Sequence, residues 1–379
     1  MRNHYLFFIV FLLAAASCKK PYEPEVILAP NNYLVFDGFI NASPNTASVF
    51  TLSRTRNLTD TVISIPEFNA QIVIEGKTGS SYNLTAGANG TYSTTALTLN
   101  TTDQYRIKAT TADGHQYASA FVPVKQTANI DSITWQQTED LTLFVHTHDP
   151  SDNSRYYKWD FTETWEYKAP FETSWGLNNS NNLVVFLSPQ NQIYKCWTTR
   201  SSTNIITGTS IALSADVISY LPVHTIKKDD ERINIRYSML LNQLAITEEA
   251  YKYWNIIQKN SQQLGTLFDL QPAQLKGNIT STSHATEPVV GFISAAVARQ
   301  KRIFITNAQL NNWATGYPYN DCSLLSIPTD PSNILLYNYP DPAYVPYFFT
   351  GIPPSLIISK KECVDCRTRG GVNSKPLFW

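Results

Sequence analysis

The sequence predicts a mainly β protein, with an N-terminal β-sandwich followed by a larger β-rich domain that carries one packed amphipathic helix. Three observations predict it. Short segments with apolar residues at every second position recur along most of the chain, the spacing that turns one face of a strand toward a core. Gly-, Asn- and Asp-containing turns interrupt them at intervals of about 8–12 residues, the rhythm of sandwiches. Only residues 246–265 carry a helical period instead. Composition agrees: charged residues are 16% and aromatics 12%, which suits an exported β protein with a neutral polar surface. A formal net charge of −1 argues against nucleic acid as a partner.

The chain opens with Arg2 and the apolar run Tyr5–Ala16, then Ala15-Ala16-Ser17-Cys18. The run is shorter than the ~20 residues a membrane-spanning helix needs and fits the apolar region of a secretory signal. A Cys directly after small residues is the lipobox pattern of bacterial lipoproteins. Residues 1–17 are therefore expected to be a lipoprotein signal peptide and Cys18 the lipidated N-terminus. Several acyl chains make a stable anchor, since each buried CH₂ adds about 0.8 kcal/mol. Residues 18–30, with Pro21, Pro24 and Pro30, read as a tether.

The sandwich is expected over residues 31–126. YLVFDGFI (33–40) has strand composition, with Gly38 as a bulge position. SVFTL (48–52) follows. In NAQIVIEGKTGSSYNLT (69–85), Ala70, Ile72 and Ile74 share one face and a Gly-containing turn leads into a second strand. Asn89-Gly90 marks a turn. In QYRIKATTADGHQYASAFV (104–122), Tyr105, Ile107 and Ala109 alternate with polar residues, and Asp113-Gly114 predicts a type I′ hairpin turn. The order A-x-V/I-x-I, G-x-Y, Y-x-I-x-A resembles prealbumin-like and carboxypeptidase-regulatory-like repeats, so the expected unit is a prealbumin/Ig-like β-sandwich.

The second domain, residues 127–379, begins with SITWQQTEDLTLFVHTHDP (132–150), where Leu141, Leu143 and Val145 share a face. In RYYKWDFTETWEY (155–167), Tyr157, Trp159, Phe161, Trp165 and Tyr167 have one parity. That stripe is either the core side of a strand or an exposed aromatic platform for sugars; Trp159 and Trp165 are the ligand-binding candidates if it faces solvent. RINIRYSML (232–240) alternates again. The helix is placed near 247–264: Thr247 is a good N-cap, Glu248 and Glu249 suit the positive helix start, and Ile246 with Tyr251 forms a hydrophobic staple. Ala250, Trp254, Ile257, Ser261 and Leu264 make one face, and Gly265 ends it.

Four cysteines remain beyond Cys18: Cys196, Cys322, Cys363 and Cys366. In an oxidising compartment an even number predicts two disulfides. Zinc would require all four thiols or added His, and Arg367-Thr368-Arg369-Gly370-Gly371 is a poor helix start for a redox C-x-x-C. Long loops remove more unfolded-state entropy, which favours Cys196 and Cys322 each pairing with one tail cysteine; a local Cys363–Cys366 bridge is the competing arrangement. Either way the C-terminal tail is stapled.

No G-x-S-x-G, H-E-x-x-H, phosphate loop or dinucleotide fingerprint occurs. No catalytic residues, metal site or cofactor are assigned. His146 and His148 share a strand face beside Asp149, without a third local ligand, and read as solvent-facing. Glu163 and Glu166 flank Trp165 as a paired-carboxylate possibility.

Several stretches carry a family resemblance: YLVFDGFI, KCW (195–197), RYSMLLNQLAITEEAYKYW (236–254), LGTLFDLQP (264–272), KGNI (276–279), VVGFIS (289–294), KRIFI (301–305) and the tail CVDCRTRGGVNSKPLFW. Together they resemble a Bacteroidota outer-membrane lipoprotein family defined by a domain of unknown function. Such proteins are commonly encoded beside SusC-like TonB-dependent receptors. The resemblance implies a location at the outer membrane and a receptor partner, and carries over no catalytic residue. The expected function is an anchored, non-catalytic accessory or binding lipoprotein of a TonB-dependent nutrient receptor. An exported hydrolase of polysaccharide or peptide and a structural envelope protein are the alternatives. Lys19-Lys20 precede Glu23 and Glu25, so either membrane face fits.

Overall fold

The computed structural model describes residues 32–56, 65–178, 180, 183–262, 276–314, 319, 321–328, 343–350 and 355–379. Cys18 with the expected leader and tether, and Leu264 and Gly265 at the expected helix end, lie outside them.

Two sheets form the first sandwich. One is six-stranded, with Leu34–Gly38 between Val289–Val290 and Val49–Arg54; Thr91–Ser93, Thr85–Ala86 and Ile65–Pro66 complete it. The other is eight-stranded and centres on Gln104–Thr110, flanked by Gln71–Gly76, Gln116–Ser119 and Val122–Gln126. Alternation is kept: Ile72, Ile74, Tyr105, Ile107 and Ala109 are buried, and their neighbours Glu75, Arg106 and Lys108 form ion pairs outside. Gly38 stands where the chain leaves the first sheet for the short strand Ile40–Asn41 of the second. Its φ is +134°, and a Cβ there would lie 2.5 Å from the Val49 carbonyl oxygen, so only glycine turns this corner unstrained.

The hairpin turn differs from expectation. Gly114 has φ +88° but Asp113 does not have positive φ, so a type I′ turn is not formed. The Asp113 carboxylate instead accepts hydrogen bonds from the Thr111 hydroxyl (2.5 Å) and the His115 amide (3.3 Å), closing a wider loop.

The contiguous division at residue 126 also needs correction. Ile279–Ser281, Val289–Val290 and Ala295–Val297 return to the first sandwich, pairing with Gln116–Ser119, Leu34–Gly38 and Val122–Gln126 respectively. Ile279, Val289, Ile293, Ala295 and Val297 join its core. Parallel pairing with Leu34–Gly38 and Val122–Gln126 demands a long crossover, and most of the second unit is that crossover.

The second unit packs a three-stranded sheet (Ile130–Gln137, Leu141–His148, Val217–Ile226) on a five-stranded one. The latter orders Lys195–Ser201, Tyr156–Lys168, Arg236–Ala245 and Arg299–Thr306, with Ile206–Thr209 also on Tyr156–Lys168. Leu141, Leu143 and Val145 meet Tyr157, Trp159, Phe161, Tyr237, Met239 and Leu241 in its core. The alternation expected from residue 232 starts later, because Glu231–Ile233 forms a 3-10 turn before the strand.

Helix α1 spans Glu248–Gln262. The Thr247 hydroxyl accepts from the Ala250 amide at 3.3 Å, the N-cap that the sequence indicates. Ala250 and Tyr253 are its buried residues, Trp254 and Ile257 are half-buried, and Ser261 is exposed rather than on the packed face. The Tyr253 hydroxyl accepts from the Gly291 amide (2.8 Å), and Gln258 accepts from Thr207 (3.1 Å), so α1 bridges the two units. No helix among the described residues is long and apolar enough to cross a membrane.

Cys196 is bonded to Cys366 and Cys322 to Cys363. The C-x-x-C therefore splits, one cysteine to each of two distant segments. The tail then runs along the five-stranded sheet, where Val372 bridges Trp197 and Trp379 donates from Nε1 to Glu166 (3.1 Å).

Candidate functional site

The strand Tyr156–Lys168 decides which sequence candidates survive, because its two faces look into different surroundings. Its odd positions enter the sandwich core. Trp159 is 0% exposed and Trp165 4%, so the proposed aromatic ligand platform is corrected to core. The physical reason is the facing sheet, whose Leu141, Leu143 and Val145 need apolar partners. The Trp159 indole donates to Gln243 (2.8 Å), which in turn donates to Ala128 and Thr147.

Glu163 has the same parity and is buried with partners. Arg232 reaches both its oxygens (3.0 and 3.1 Å), Tyr237 donates at 3.0 Å and His224 Nε2 lies at 3.3 Å. This is an ion network in which the Glu163 carboxylate is buried and satisfied by its partners. Glu166 has the opposite parity and is taken by Lys195 and Trp379, so the two glutamates do not form a carboxylate pair across a cleft. His148 is exposed and bonded to Asp131 (2.8 Å), while His146 is half-buried against Thr134 and Tyr220, so the two do not converge on a common ligand.

The even face of the same strand lines a cavity of about 580 Å³ at the junction of the two units. Lys158, Asp160 and Thr162 come from this strand, and Asn242 and Leu244 from its neighbour, where Asn242 stands opposite Asp160. Asp37, Gly38 and Phe39 come from the glycine corner of the first sandwich, Phe292 and Ser294 from the returning segment, and Trp254 from α1. Residues 201–205 close one side.

Asp160 is poorly compensated. Its carboxylate accepts a hydrogen bond from Asn242 Nδ2 at 3.2 Å. Burial pushes its carboxyl above the ordinary value, and Lys158 and Asn242 offset this only in part, with Asp37 adding to the rise. Asn242 Oδ1 and Ser294 Oγ are buried without a protein partner among the described residues. Buried polar atoms are nearly always satisfied, and these two stand on separate elements of the cavity lining, the strand Arg236–Ala245 and the returning segment. Trp254 presents its ring nearby, with Lys158 Nζ 4.8 Å from the centroid. A second hollow of similar volume lies across α1, beside Phe121, Pro123 and Ile256, and has no such unpaired atom.

Sequence reasoning missed this site because its residues come from seven separate segments. One signal existed: Asn242 stands between Leu240 and Leu244 on one face of Arg236–Ala245, a polar residue flanked by apolar ones.

No match is found among curated proteins. Among solved structures, the chain is similar to the adhesin InvE of Yersinia pseudotuberculosis at 14% identity, over 57% of this chain and 55% of that one, with a TM-score of 0.14. It is similar to the B domain of a biofilm-associated protein at 6% identity, over 73% and 87% of the two chains, with a TM-score of 0.16. The chain thus spans little more than half of the InvE chain. Residues 19–302, from beside Cys18 to the strand that closes the five-stranded sheet, match the family described as Domain of unknown function (DUF4249), and the protein belongs to that family.

Proposed function

We propose that this protein is a lipid-anchored outer-membrane binding protein, held by Cys18, that takes a small hydroxyl-rich ligand in the junction cavity as a non-catalytic accessory of a SusC-like TonB-dependent receptor. One observation carries the binding role: Asp160, Asn242 and Ser294 line one cavity with Trp254, and Asn242 Oδ1 and Ser294 Oγ have no protein partner among the described residues. A carboxylate, an amide and a hydroxyl match sugar hydroxyls, and an indole supplies a large apolar area at little entropic cost. Anchor and receptor rest on the Ala15-Ala16-Ser17-Cys18 pattern and the family resemblance.

The test is purification of the native lipoprotein from its own membrane, followed by glycan binding. The expected result is co-purification of a TonB-dependent receptor, a membrane association lost on Cys18→Ser, and glycan retention lost on Asp160→Ala and Trp254→Ala. Recovery of the lipoprotein alone, with retention unchanged in both cavity variants, would overturn the reading.

A hydrolase is the second reading. Asp37 and Asp160 line the same cavity and Asp160 is shifted toward the protonated form, as a general acid requires. Turnover of a bound glycan that is abolished by Asp160→Asn without loss of binding would favour it.

A further inference from the structure

Away from the junction, two loops of the first sandwich bring imidazoles together. His115 closes the hairpin between Gln104–Thr110 and Gln116–Ser119. His284 and Glu287 lie on the returning segment between Ile279–Ser281 and Val289–Val290. One ligand atom from each of the three lies within 4.8 Å of the others. The two rings stack with centroids 4.3 Å apart and planes inclined by 27°.

The surroundings orient these groups. Glu287 Oε1 accepts from the Tyr117 hydroxyl at 2.7 Å and lies 3.9 Å from Arg54. Its other oxygen, Oε2, faces His115 Nδ1 at 3.4 Å. Arg54 is itself neutralised by Glu67 at 2.6 Å. His284 Nδ1 is 3.2 Å from the Ser283 hydroxyl, which leaves Nε2 for an outside partner.

We propose that His115, His284 and Glu287 form a binding site for a divalent first-row transition ion, Zn²⁺ foremost. Imidazole nitrogen selects such ions over Ca²⁺ and Mg²⁺, which require oxygen shells. Two imidazoles and one carboxylate leave the fourth position of a tetrahedral ion for water or an external ligand. Zinc bonds of about 2.0–2.2 Å require the donors to draw in toward a common centre. His284 is exposed, so its ring has solvent to turn into as it leaves the His115 stack and the Ser283 hydroxyl for this. Tyr117 acts as the outer partner that fixes the carboxylate. The ion would tie the returning segment to the hairpin, and so lock the strands that residues 279–297 contribute to the first sandwich.

The test uses untagged full-length protein in detergent, stripped with EDTA and titrated with Zn²⁺ by calorimetry, with circular dichroism confirming the fold of each variant. The expected result is one ion per chain, a melting temperature raised by Zn²⁺, and X-ray absorption showing two imidazole ligands. Replacing the exposed ligand, His284→Ala, removes both the binding and the temperature rise. Tyr117→Phe weakens binding by about 10–100-fold. Folded wild-type protein without saturable Zn²⁺ binding would overturn the proposal. So would stoichiometric binding that survives His284→Ala and His115→Ala unchanged.

Discussion

Asp160 and Glu163 belong to one strand and their carboxyls shift in opposite directions. For Glu163, burial is the largest influence and pushes the value up, but the His224 hydrogen bond, the Arg232 and His224 charges and the Tyr237 hydroxyl outweigh it and hold the carboxyl below its ordinary 4.5. Its stabilising contribution is therefore present above about pH 4.5 and lost as pH falls through the lowered value. For Asp160, burial wins and the carboxyl is raised above 3.8. Its contribution is full below that ordinary value and lost as pH rises through the raised one. Two outcomes follow in urea melts. Glu163→Ala, which leaves Arg232 to Asp230 alone and the buried Tyr237 hydroxyl without its acceptor, costs roughly 1–3 kcal/mol at pH 7 and less below pH 4. Asp160→Asn raises the midpoint at pH 7 and changes little at pH 3, while ligand retention falls. An equal effect of Asp160→Asn at both pH values would remove burial as the cause. A residue that costs stability is the pattern expected where function needs it.

At the scale of elements, the strands were the legible part. Ile72, Ile74, Tyr105, Ile107, Leu141, Leu143 and Val145 are all buried, because alternation reports directly on which face of a strand is covered. Alternation does not say what covers it. The stripe from Tyr157 to Tyr167 fits a core or a platform equally well until the facing sheet is known. The helix start was legible through Thr247, yet Tyr253 was not placed on the packed face, since its partners Phe292 and Gly291 lie far along the chain. The tail depends on its staples in the same long-range way. Cys196 and Cys366 are 170 residues apart in sequence, and a loop of that length constrains the unfolded chain strongly. Replacing both with Ala is expected to cost about 2–5 kcal/mol and to free the tail from Trp197 and Glu166. The check is a lowered urea midpoint together with tryptic cleavage at Arg367 or Arg369 that the wild type resists. Resistance equal to wild type would mean the Trp379 and Val372 contacts hold the tail unaided.

For the whole molecule, the first sandwich is closed by strands from residues 279–297, so its folding waits on chain that is made much later. A fragment of residues 31–126 lacks Ile279, Val289, Ile293, Ala295 and Val297 from its core and exposes the edges of both sheets. Expressed alone it is expected to aggregate or to show no cooperative melt. The same fragment joined by a flexible linker to residues 276–298 is expected to melt cooperatively. Cooperative unfolding of the short fragment would show that the returning strands are dispensable. The crossover also explains the position of the cavity, since strands that pass between the two units bring the glycine corner, the second sheet and α1 to one junction.

By itself the sequence determined the strand-rich class, the single helix and its start, the core-facing parity of most strands, and the expectation of an exported chain with two disulfides. Each of these is written in local order: a period of two, a cap, a turn glycine, an apolar leader, an even count of cysteines. Only the tertiary structure decided that the aromatic stripe is core, that residues 279–297 belong to the first sandwich, which cysteines pair, and where Asp160, Asn242 and Ser294 meet. Burial of a face, closure of a sheet and convergence of a site depend on partners far along the chain, as far as the 170 residues between Tyr117 and Glu287. No local spacing encodes them.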